Sequence, residues 1–308
     1  MTGTIYHLLG YLITKLNSTI NLEIYNNIDD RIKLFQDCIN QISMDKKTII
    51  LIDGLDVLAN QNDVINLSTW LPINVPLHVK LILSTASLPI FNYANKIDYQ
   101  KIVLDPLDKE DAKILVVSIL NEYRKKLNHD QLNRLMIIKQ ITTPLYAVAV
   151  AQFMRVFPRF EDIDALIDHL PDNVDELFEL IINQLTYDFQ TDLVFDVLSY
   201  LRLSIDGLIE SEIIQLINKK RDAMIPLNHW VRFYRYISEY LTNIGESENG
   251  LIKPFHQQFA FAIDRIILDE KRKKQAYQEL FEFSYELYMI QDEKLSNLMQ
   301  YIGVYAAN

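Results

Sequence analysis

The stretch TIILIDGLD at residues 48–56 decides the fold class of this chain. Its first five residues are apolar or β-branched without a break, which is typical of a parallel strand that is covered on both faces. Two more short apolar runs follow, KLIL at 80–83 and KIVL at 101–104. Because such runs alternate with helical patterns, the sequence predicts a parallel α/β layer through about residue 105.

The rest of the chain is predicted to be helical, so the fold class is mixed α/β and mostly α. Only 7 of the 308 residues are glycine, which disfavours all-β architectures. Apolar residues at helical spacing predict helices over residues 5–16 and 31–43, the second starting near Asp29 or Asp30. The capping patterns predict further helix starts at Asp108 with Asp111, at Asn128 with Gln131, at Pro144 and at Pro171.

Three helical patterns after residue 190 precede two apolar runs, 240–244 and 251–255, which are joined at Asn249-Gly250. Both residues of this dipeptide tolerate positive φ, so the pattern predicts a β-hairpin. Three helices followed by a hairpin are the plan of a winged helix. Two more helices are predicted in residues 257–308.

The composition argues against several classes of function. A formal charge of −11 opposes unassisted binding to nucleic acid and to anionic membranes, because both need a basic surface. Cys38 is the only cysteine, so an internal disulfide and a cysteine-based zinc site are excluded, and its apolar neighbours predict a buried position. No signal peptide or membrane span is predicted, and a reducing cytoplasm is the expected compartment.

Other chemical motifs are absent from the printed sequence. The six histidines show no metal-ligand spacing, and no G-x-S-x-G motif occurs. The basic run KRKK at 271–274 is predicted to be a solvated helix face, with a nucleic-acid contact or a nuclear import signal as the alternative.

Asp53 ends the first apolar run, at the carboxyl end of a predicted parallel strand, where α/β sheets bind ligands. At that position its carboxylate is suited to hold Mg²⁺ through water, since Mg²⁺ takes a few hard oxygen ligands and keeps much of its hydration. Gly54 allows a sharp turn, and Asp56 returns a second carboxylate to the same edge. The alternative is a strand that ends in an acidic turn without function.

The order and spacing of several short motifs, over roughly residues 4–268, resemble the signal-transduction NTPases with numerous domains (STAND). The resemblance is to the NACHT-like branch with nephrocystin-like and telomerase-associated proteins. The residues that carry it are IDGLDVL at 52–58 as Walker B, WLP at 70–72, VKLILST at 79–85 before sensor 1, LDPL at 104–107, TPLY at 143–146, LPDNVDELF at 170–178, LS at 203–204, GL at 207–208, EI at 212–213, Gly250, FH at 255–256 and Phe259.

The resemblance implies four segments. Residues 1–105 are similar to the Walker B and sensor 1 part of the NTPase domain, and residues 106–189 to its helical lid. Residues 190–268 are similar to the winged-helix domain, and residues 269–308 are C-terminal helices that could begin a repeat array. The fold expected is an incomplete parallel NTPase sheet followed by two helical domains.

The resemblance also implies roles for six residues, each with a plainer alternative. Asp53 would be the Mg²⁺ acid, and Asp56 would position the attacking water, although Val57 replaces the acid or glutamine often found next. Ser84 or Thr85 would sense the γ-phosphate, or simply cap the strand end. Pro144 would lie against the base, or only start a helix. His256 would reach a phosphate of ADP, or be a core histidine between Phe255 and Phe259.

The sequence departs from the family in one respect, because no G-x-x-x-x-G-K-[ST] loop is present and no lysine follows a glycine. That loop holds the phosphates and Mg²⁺. In the family its strand lies centrally, between strands that would correspond to 80–83 and 101–104 here. Either the chain is a segment of a longer polypeptide whose N-terminal part supplies the loop, which we favour, or it is a degenerate remnant whose sheet has closed up.

Three functions compete at this point. The first is a nucleotide-gated signalling switch, with ATP or ADP and Mg²⁺ expected in the intact protein; the alternative is that this chain alone binds neither. The second is a pseudo-NTPase that serves as a protein-interaction scaffold. The third is a winged-helix nucleic-acid binder, which is disfavoured because residues 192–274 hold equal numbers of acidic and basic residues. The expected partners are proteins, either further copies of the chain or the missing P-loop segment, and neither membranes nor nucleic acid.

Overall fold

The computed structural model describes residues 5–55, 70–72, 74–86, 100–156, 162–244 and 250–290, and the chain divides into two compact units, Met1–Val103 and Leu104–Asn308. Within the described ranges, the first unit contains α1 (Ile5–Leu16), α2 (Ile28–Asn40), β1 (Thr48–Ile52) and β2 (Val79–Leu83). The second unit contains α3 (Lys109–Glu122), α4 (His129–Ile137), α5 (Pro144–Val156), α6 (Ile163–Asp168), α7 (Val174–Asp188), α8 (Thr191–Leu203), α9 (Glu210–Arg221), α10 (Leu227–Ile237), β3 (Leu241–Ile244), β4 (Leu251–Pro254), α11 (Gln257–Ile266) and α12 (Glu270–Ile290).

The fold is therefore mixed α/β and mostly helical, with a small parallel sheet, as predicted. Several helix starts match their predicted caps, since the side chains of Asp108 and Asn128 accept from the backbone N–H three residues on and Pro144 opens α5. Helix α2 begins at Ile28, three residues before the predicted start, with Asn27 as its N-cap and with Asp29 and Asp30 in its first turn, near the helix start as predicted. Among the described residues, no helix is both long and apolar enough to cross a bilayer.

In the first unit, β1 and β2 are parallel, with Ile50 opposite Leu81 and Ile52 opposite Leu83. The side chains of Ile50 and Ile52 are buried with residues of α1 and α2, among them Phe35 and Cys38. Burial raises the pKa of the Cys38 thiol, which agrees with the core position predicted for it. One face of the strand pair thus carries the core of this unit.

The opposite face of the strand pair is exposed, which corrects the prediction that β1 is covered on both faces. Ile49, Leu51 and Ile82 point to that side and are 68%, 65% and 50% exposed. The predicted strand at 101–104 is also wrong, since these residues adopt no regular structure and Ile102 is 76% exposed. Within the described residues β2 pairs only with β1, and the 101–104 run does not add to the other edge of β2.

The second unit has one continuous hydrophobic core that runs from α3 to α12. The predicted lid segment and the predicted winged-helix segment both contribute to it. The Phe178 ring on α7 lies 6.2 Å from the Tyr240 ring and 5.3 Å from the Phe259 ring, measured between centroids. The two segments therefore pack as one body in this structure.

The elements after residue 190 occur in the order predicted, three helices and then a hairpin, with Leu241 opposite Pro254. Leu208 forms a bridge with Ile252, which adds a third, very short strand to this hairpin. The bridge requires Gly207, whose φ is +98° and where a Cβ would lie 2.8 Å from the carbonyl oxygen of Ile252. Asn249, the first residue of the predicted turn, lies outside the described residues.

Helix α12 is held to α8 and α9 by a half-buried group of charges. Asp196, which is buried, accepts from the Lys220 ammonium at 2.8 Å, and the Arg272 guanidinium lies 3.4 Å from the same oxygen. Glu279 on α12 accepts from the Tyr200 hydroxyl at 2.7 Å and lies 3.0 Å from Lys220. The prediction that 271–274 is a solvated face is therefore wrong for Arg272, because tertiary partners draw its side chain inward.

A separate ion pair joins the predicted lid, residues 106–189, to the predicted winged helix, residues 190–268. Arg155 near the end of α5 has a side chain only 5% exposed, and it donates to Glu239 at 2.8 Å. Its guanidinium also lies 4.2 Å from the centre of the Tyr123 ring. Removing the carboxylate leaves a buried cation without its partner, which costs far more than the loss of an exposed pair.

We predict that Glu239→Gln lowers the free energy of unfolding by about 2 kcal/mol, because the Arg155 charge stays buried. The matched control is Glu179→Gln, which removes the partner of the half-exposed Arg265 and is expected to cost less than about 1 kcal/mol. Urea denaturation at pH 7 measures both changes. Equal losses in the two variants would show that the Arg155 pair contributes no more than a surface pair.

Candidate functional site

The ends of β1 and β2 are joined by the side chain of Ser84. Its hydroxyl donates a short hydrogen bond to Asp53 Oδ1 and accepts from the backbone N–H of Gly54 at 2.8 Å. Two backbone bonds add to this link, from Ser84 N–H to the Ile52 carbonyl at 3.0 Å and from Leu55 N–H to the Ser84 carbonyl at 2.9 Å. The first residue after β1 and the first residue after β2 are thereby held at one edge of the sheet.

Gly54 makes this arrangement possible. Its φ is +70°, a conformation that residues with a Cβ rarely adopt. The turn brings the Gly54 N–H onto Ser84 directly after the Asp53 carboxylate. Asp53 itself is exposed at the carboxyl edge of the parallel strands, and only Oδ1 accepts a hydrogen bond from the described residues. The carboxylate is thus fixed through one oxygen and open to solvent.

This geometry is suited to hold a divalent cation through water, because a fixed and exposed carboxylate supplies a hard oxygen ligand. No group of three or more His, Cys, Asp or Glu side chains in the described ranges forms a metal site by protein ligands alone. The metal role of Asp53 stays a prediction. Thr85 is half-buried next to Ser84, and Asp56 lies outside the described residues, so its predicted role is untested.

The hydroxyl of Ser84 has a function that the strand-end alternative anticipated only in part. It caps the strand end, but its acceptor is the predicted Mg²⁺ acid itself. Ser84 therefore acts on Asp53 as a positioning residue. The further role predicted for Ser84 or Thr85, sensing of the γ-phosphate, stays a prediction.

In the second unit, Leu145 and His256 line the same small cavity, with a volume of about 30 Å³. Leu145 follows Pro144, the first residue of α5, and His256 immediately precedes α11. Half of the remaining wall is aromatic, with Phe178, Tyr240, Phe255 and Phe259, and the rest includes the carboxylate of Glu239. Two of the second-unit residues singled out by the sequence, Pro144 and His256, thus lie at or next to one cavity.

Two polar atoms at this cavity are buried without a hydrogen-bond partner among the described residues, the Tyr240 hydroxyl and Gln152 Oε1. A space of this size holds about one water molecule, which needs polar partners of this kind. Neither residue was singled out from the sequence. The only signal was indirect, since Gln152 interrupts an otherwise apolar helix and Tyr240 precedes the hairpin.

His256 is neither a solvated residue nor a fully buried core histidine. It is the N-cap of α11, where its Nδ1 accepts from the Gln258 N–H at 3.2 Å. Burial lowers the pKa of the imidazole, which favours the neutral form that can accept this bond. The sequence interpretation missed this capping role, because Ser, Thr, Asp and Asn are the usual N-cap residues.

We predict that acid destabilises this chain through His256. Since its pKa is lower in the folded than in the unfolded state, the folded state binds fewer protons, and stability is lost as the pH falls below the unfolded value of about 6.5. His256→Asn keeps an N-cap acceptor without the titration, so the loss of unfolding free energy between pH 7.5 and 5.5 should shrink. Urea denaturation at both pH values measures this.

The control for that experiment is His129→Asn, which replaces an exposed histidine in the first turn of α4. This variant should keep the pH dependence of the unmodified chain. If both variants show the same pH dependence as the unmodified chain, burial of His256 does not control its protonation.

Comparison with known proteins gives distant relatives, and no family model matches the chain. It is 27% identical over 229 residues to a TPR repeat-containing protein of Dictyostelium discoideum, 71% of this chain and 13% of that protein. It is 28% identical over 166 residues to telomerase protein component 1 of Mus musculus, 52% of this chain and 6% of that protein. It is 26% identical over 256 residues to tetratricopeptide repeat protein 41 of Rattus norvegicus, 72% of this chain and 19% of that protein.

The chain therefore spans less than a fifth of the length of each of these relatives. Among solved structures, it resembles a Walker-type ATPase of Pyrococcus abyssi with a TM-score of 0.35 and 13% sequence identity, over 85% of this chain and 79% of that one. Because this structural similarity is weak, the candidate site is defined only by the geometry of Asp53, Gly54 and Ser84 and by the cavity beside His256.

Proposed function

We propose that this chain is the switch segment of a STAND-type NTPase of the NACHT-like branch, with Asp53 as its Mg²⁺ acid. The observation that carries the proposal is the link from Ser84 to Asp53 and to the Gly54 N–H at the carboxyl edge of two parallel strands. An acid fixed in this way is the arrangement that a nucleotide site needs on its metal side. Asp56, for which the structure gives no position, remains the candidate for orienting water.

The second unit supports the nucleotide-gated part of this proposal. Its helices and hairpin, from α8 to β4 with the Leu208 bridge, follow the order of a winged helix, and they share a core with the predicted lid. In the proposed mechanism this packed form is the closed state. ADP would hold it through His256 and Pro144, and exchange for ATP would release the winged helix so that the protein forms oligomers.

The exposed face of the strand pair, and the edge of β2 that pairs with no strand among the described residues, support a role for a further segment. Ile49, Leu51 and Ile82 expose apolar side chains that a buried sheet covers, and Ile102 and Val103 lack a strand. A segment that supplies the phosphate-binding loop would pair its strand with β2 and place an element such as a helix over this face. We propose that the nucleotide site is complete only with that segment and that the isolated chain does not hydrolyse ATP.

The similarity to telomerase protein component 1 agrees with the branch indicated by the motifs. We propose protein partners and the cytoplasm as the place of action.

The second candidate function is a pseudo-NTPase scaffold. It is favoured by the same exposed apolar face, because a protein partner could cover these side chains whether or not nucleotide is bound. Two of the relatives are named for tetratricopeptide repeats. We propose that this chain, like a scaffold, functions by binding other proteins.

We predict that ADP with Mg²⁺ at millimolar concentration raises the thermal midpoint of the chain, because a ligand that binds only the folded state stabilises it by about 1 kcal/mol at five times its dissociation constant. Asp53→Asn should remove the part of the shift that depends on Mg²⁺. His256→Ala should weaken the shift in the presence and in the absence of Mg²⁺. Differential scanning fluorimetry with and without Mg²⁺ measures these shifts.

The matched control is Asp45→Asn, an exposed aspartate a few residues before β1, which should leave the shift unchanged. A chain that ADP does not stabilise at any concentration would favour the scaffold. A shift that is equal in Asp53→Asn and Asp45→Asn would remove Asp53 from the site.

A further inference from the structure

A larger cavity, of about 450 Å³, lies in the second unit at some distance in sequence from His256 and Pro144. It forms where the link between α7 and α8 meets the link between α9 and α10. Its wall combines apolar groups with two guanidinium groups and one imidazole, and its lining includes Phe189, Ile225, Met224, Arg221, Arg232 and His229. A volume of this size is sufficient for a small organic ligand.

The two arginines are held in place at the cavity by neutral partners. Arg221 donates to Gln190 Oε1 at 3.2 Å, and the Arg232 guanidinium lies 5.5 Å from the centre of the Phe189 ring. Neither forms a salt bridge with a described carboxylate. In contrast, Arg134, Arg155, Arg202, Arg265 and Arg272 each have an acidic partner. Two cations are thus left to face one cavity in a chain that carries a net charge of −11.

Two helices also begin at the wall of this cavity. Gln190 and Pro226, which line it, are the N-caps of α8 and α10, and neither side chain accepts a hydrogen bond from its helix. Helix N-termini favour anions, so their field adds to that of the arginines. The one carboxylate in the lining, Asp188, already accepts from Gln184 Nε2 at 3.0 Å.

The apolar part of the wall determines what else the ligand must carry. Met224 lines the cavity with 85% of its surface exposed, next to Ile225, Pro226 and the Phe189 ring. A bare ion would leave these groups in water, whereas a flat apolar body would cover them. A guanidinium recognises phosphate and carboxylate through paired N–H donors.

We propose that this cavity binds a small organic anion, in which a phosphate monoester or carboxylate on a flat apolar body is held by Arg221 and Arg232. The site does not depend on the nucleotide site proposed above, since it shares no residue with it. A ligand there would contact the α7–α8 link and α10 together, and so would brace the helix α10 against α7.

The test uses isothermal titration of the whole chain with phenyl phosphate and benzoate, and with inorganic phosphate and phenol as partial probes. Phenyl phosphate or benzoate should bind, and phenol and inorganic phosphate should each bind at least about tenfold more weakly, because each lacks one part of the ligand. Arg221→Gln and Arg232→Gln should each weaken binding by about tenfold or more. Circular dichroism confirms that both variants fold.

The matched control is Arg235→Gln, on the exposed side of α10 but outside the cavity lining, which should leave the affinity unchanged. The proposal fails if neither organic anion binds at millimolar concentration, or if Arg235→Gln weakens binding as much as Arg232→Gln. It also fails if a short DNA duplex binds through Arg232 and Arg235 alike and displaces phenyl phosphate, since a nucleic-acid surface would then explain the arginines. The Mg²⁺-dependent part of the ADP thermal shift, which Asp53→Asn should remove, should be unchanged in Arg232→Gln, and this separates the two sites.

Discussion

The Ser84 hydroxyl connects the ends of two parallel strands, and the geometry of the candidate metal site depends on it. A carboxylate at the end of a strand has many rotamers, and its position is uncertain from the backbone alone. Here one oxygen of Asp53 is occupied by the hydroxyl, and the same hydroxyl receives the Gly54 N–H. The backbone conformation of Gly54 is the condition for this triangle. The remaining oxygen is presented to solvent at the edge where α/β sheets bind their ligands.

His256 is connected to the large core of the second unit through direct contacts. His256 caps α11, α11 packs through Phe259 on Phe178, and Phe178 belongs to the helix that leaves the predicted lid. Separating the predicted lid from the predicted winged helix would expose these rings and the Arg155–Glu239 pair. A switch built this way needs a ligand with a substantial preference for one state, because the two packings differ in the burial of large aromatic groups.

Local patterns were good predictors wherever the local chain supplies the interaction. The caps at Asp108 and Asn128 need only a side chain and a backbone N–H three residues on, and β3 and β4 pair with each other although they lie only a few residues apart in the chain. The predictions for 101–104 and for Arg272 were wrong for the opposite reason. A strand needs a neighbour and a charged helix face needs solvent, and both depend on what the rest of the fold places beside them.

By itself, the sequence determined most of the element types, the position of Asp53 at the end of a strand and the order of the helices and hairpin, because periodicity, caps and turn residues act over a few residues. Only the tertiary structure decided that Ser84 binds Asp53 and that Leu145 and His256 share a cavity. It also decided that Arg221 and Arg232 face a second cavity without carboxylate partners. The first two contacts join residues 30 or more positions apart. The arginine arrangement depends on the lack of a described carboxylate that pairs with either guanidinium. No short-range pattern in the chain encodes these features.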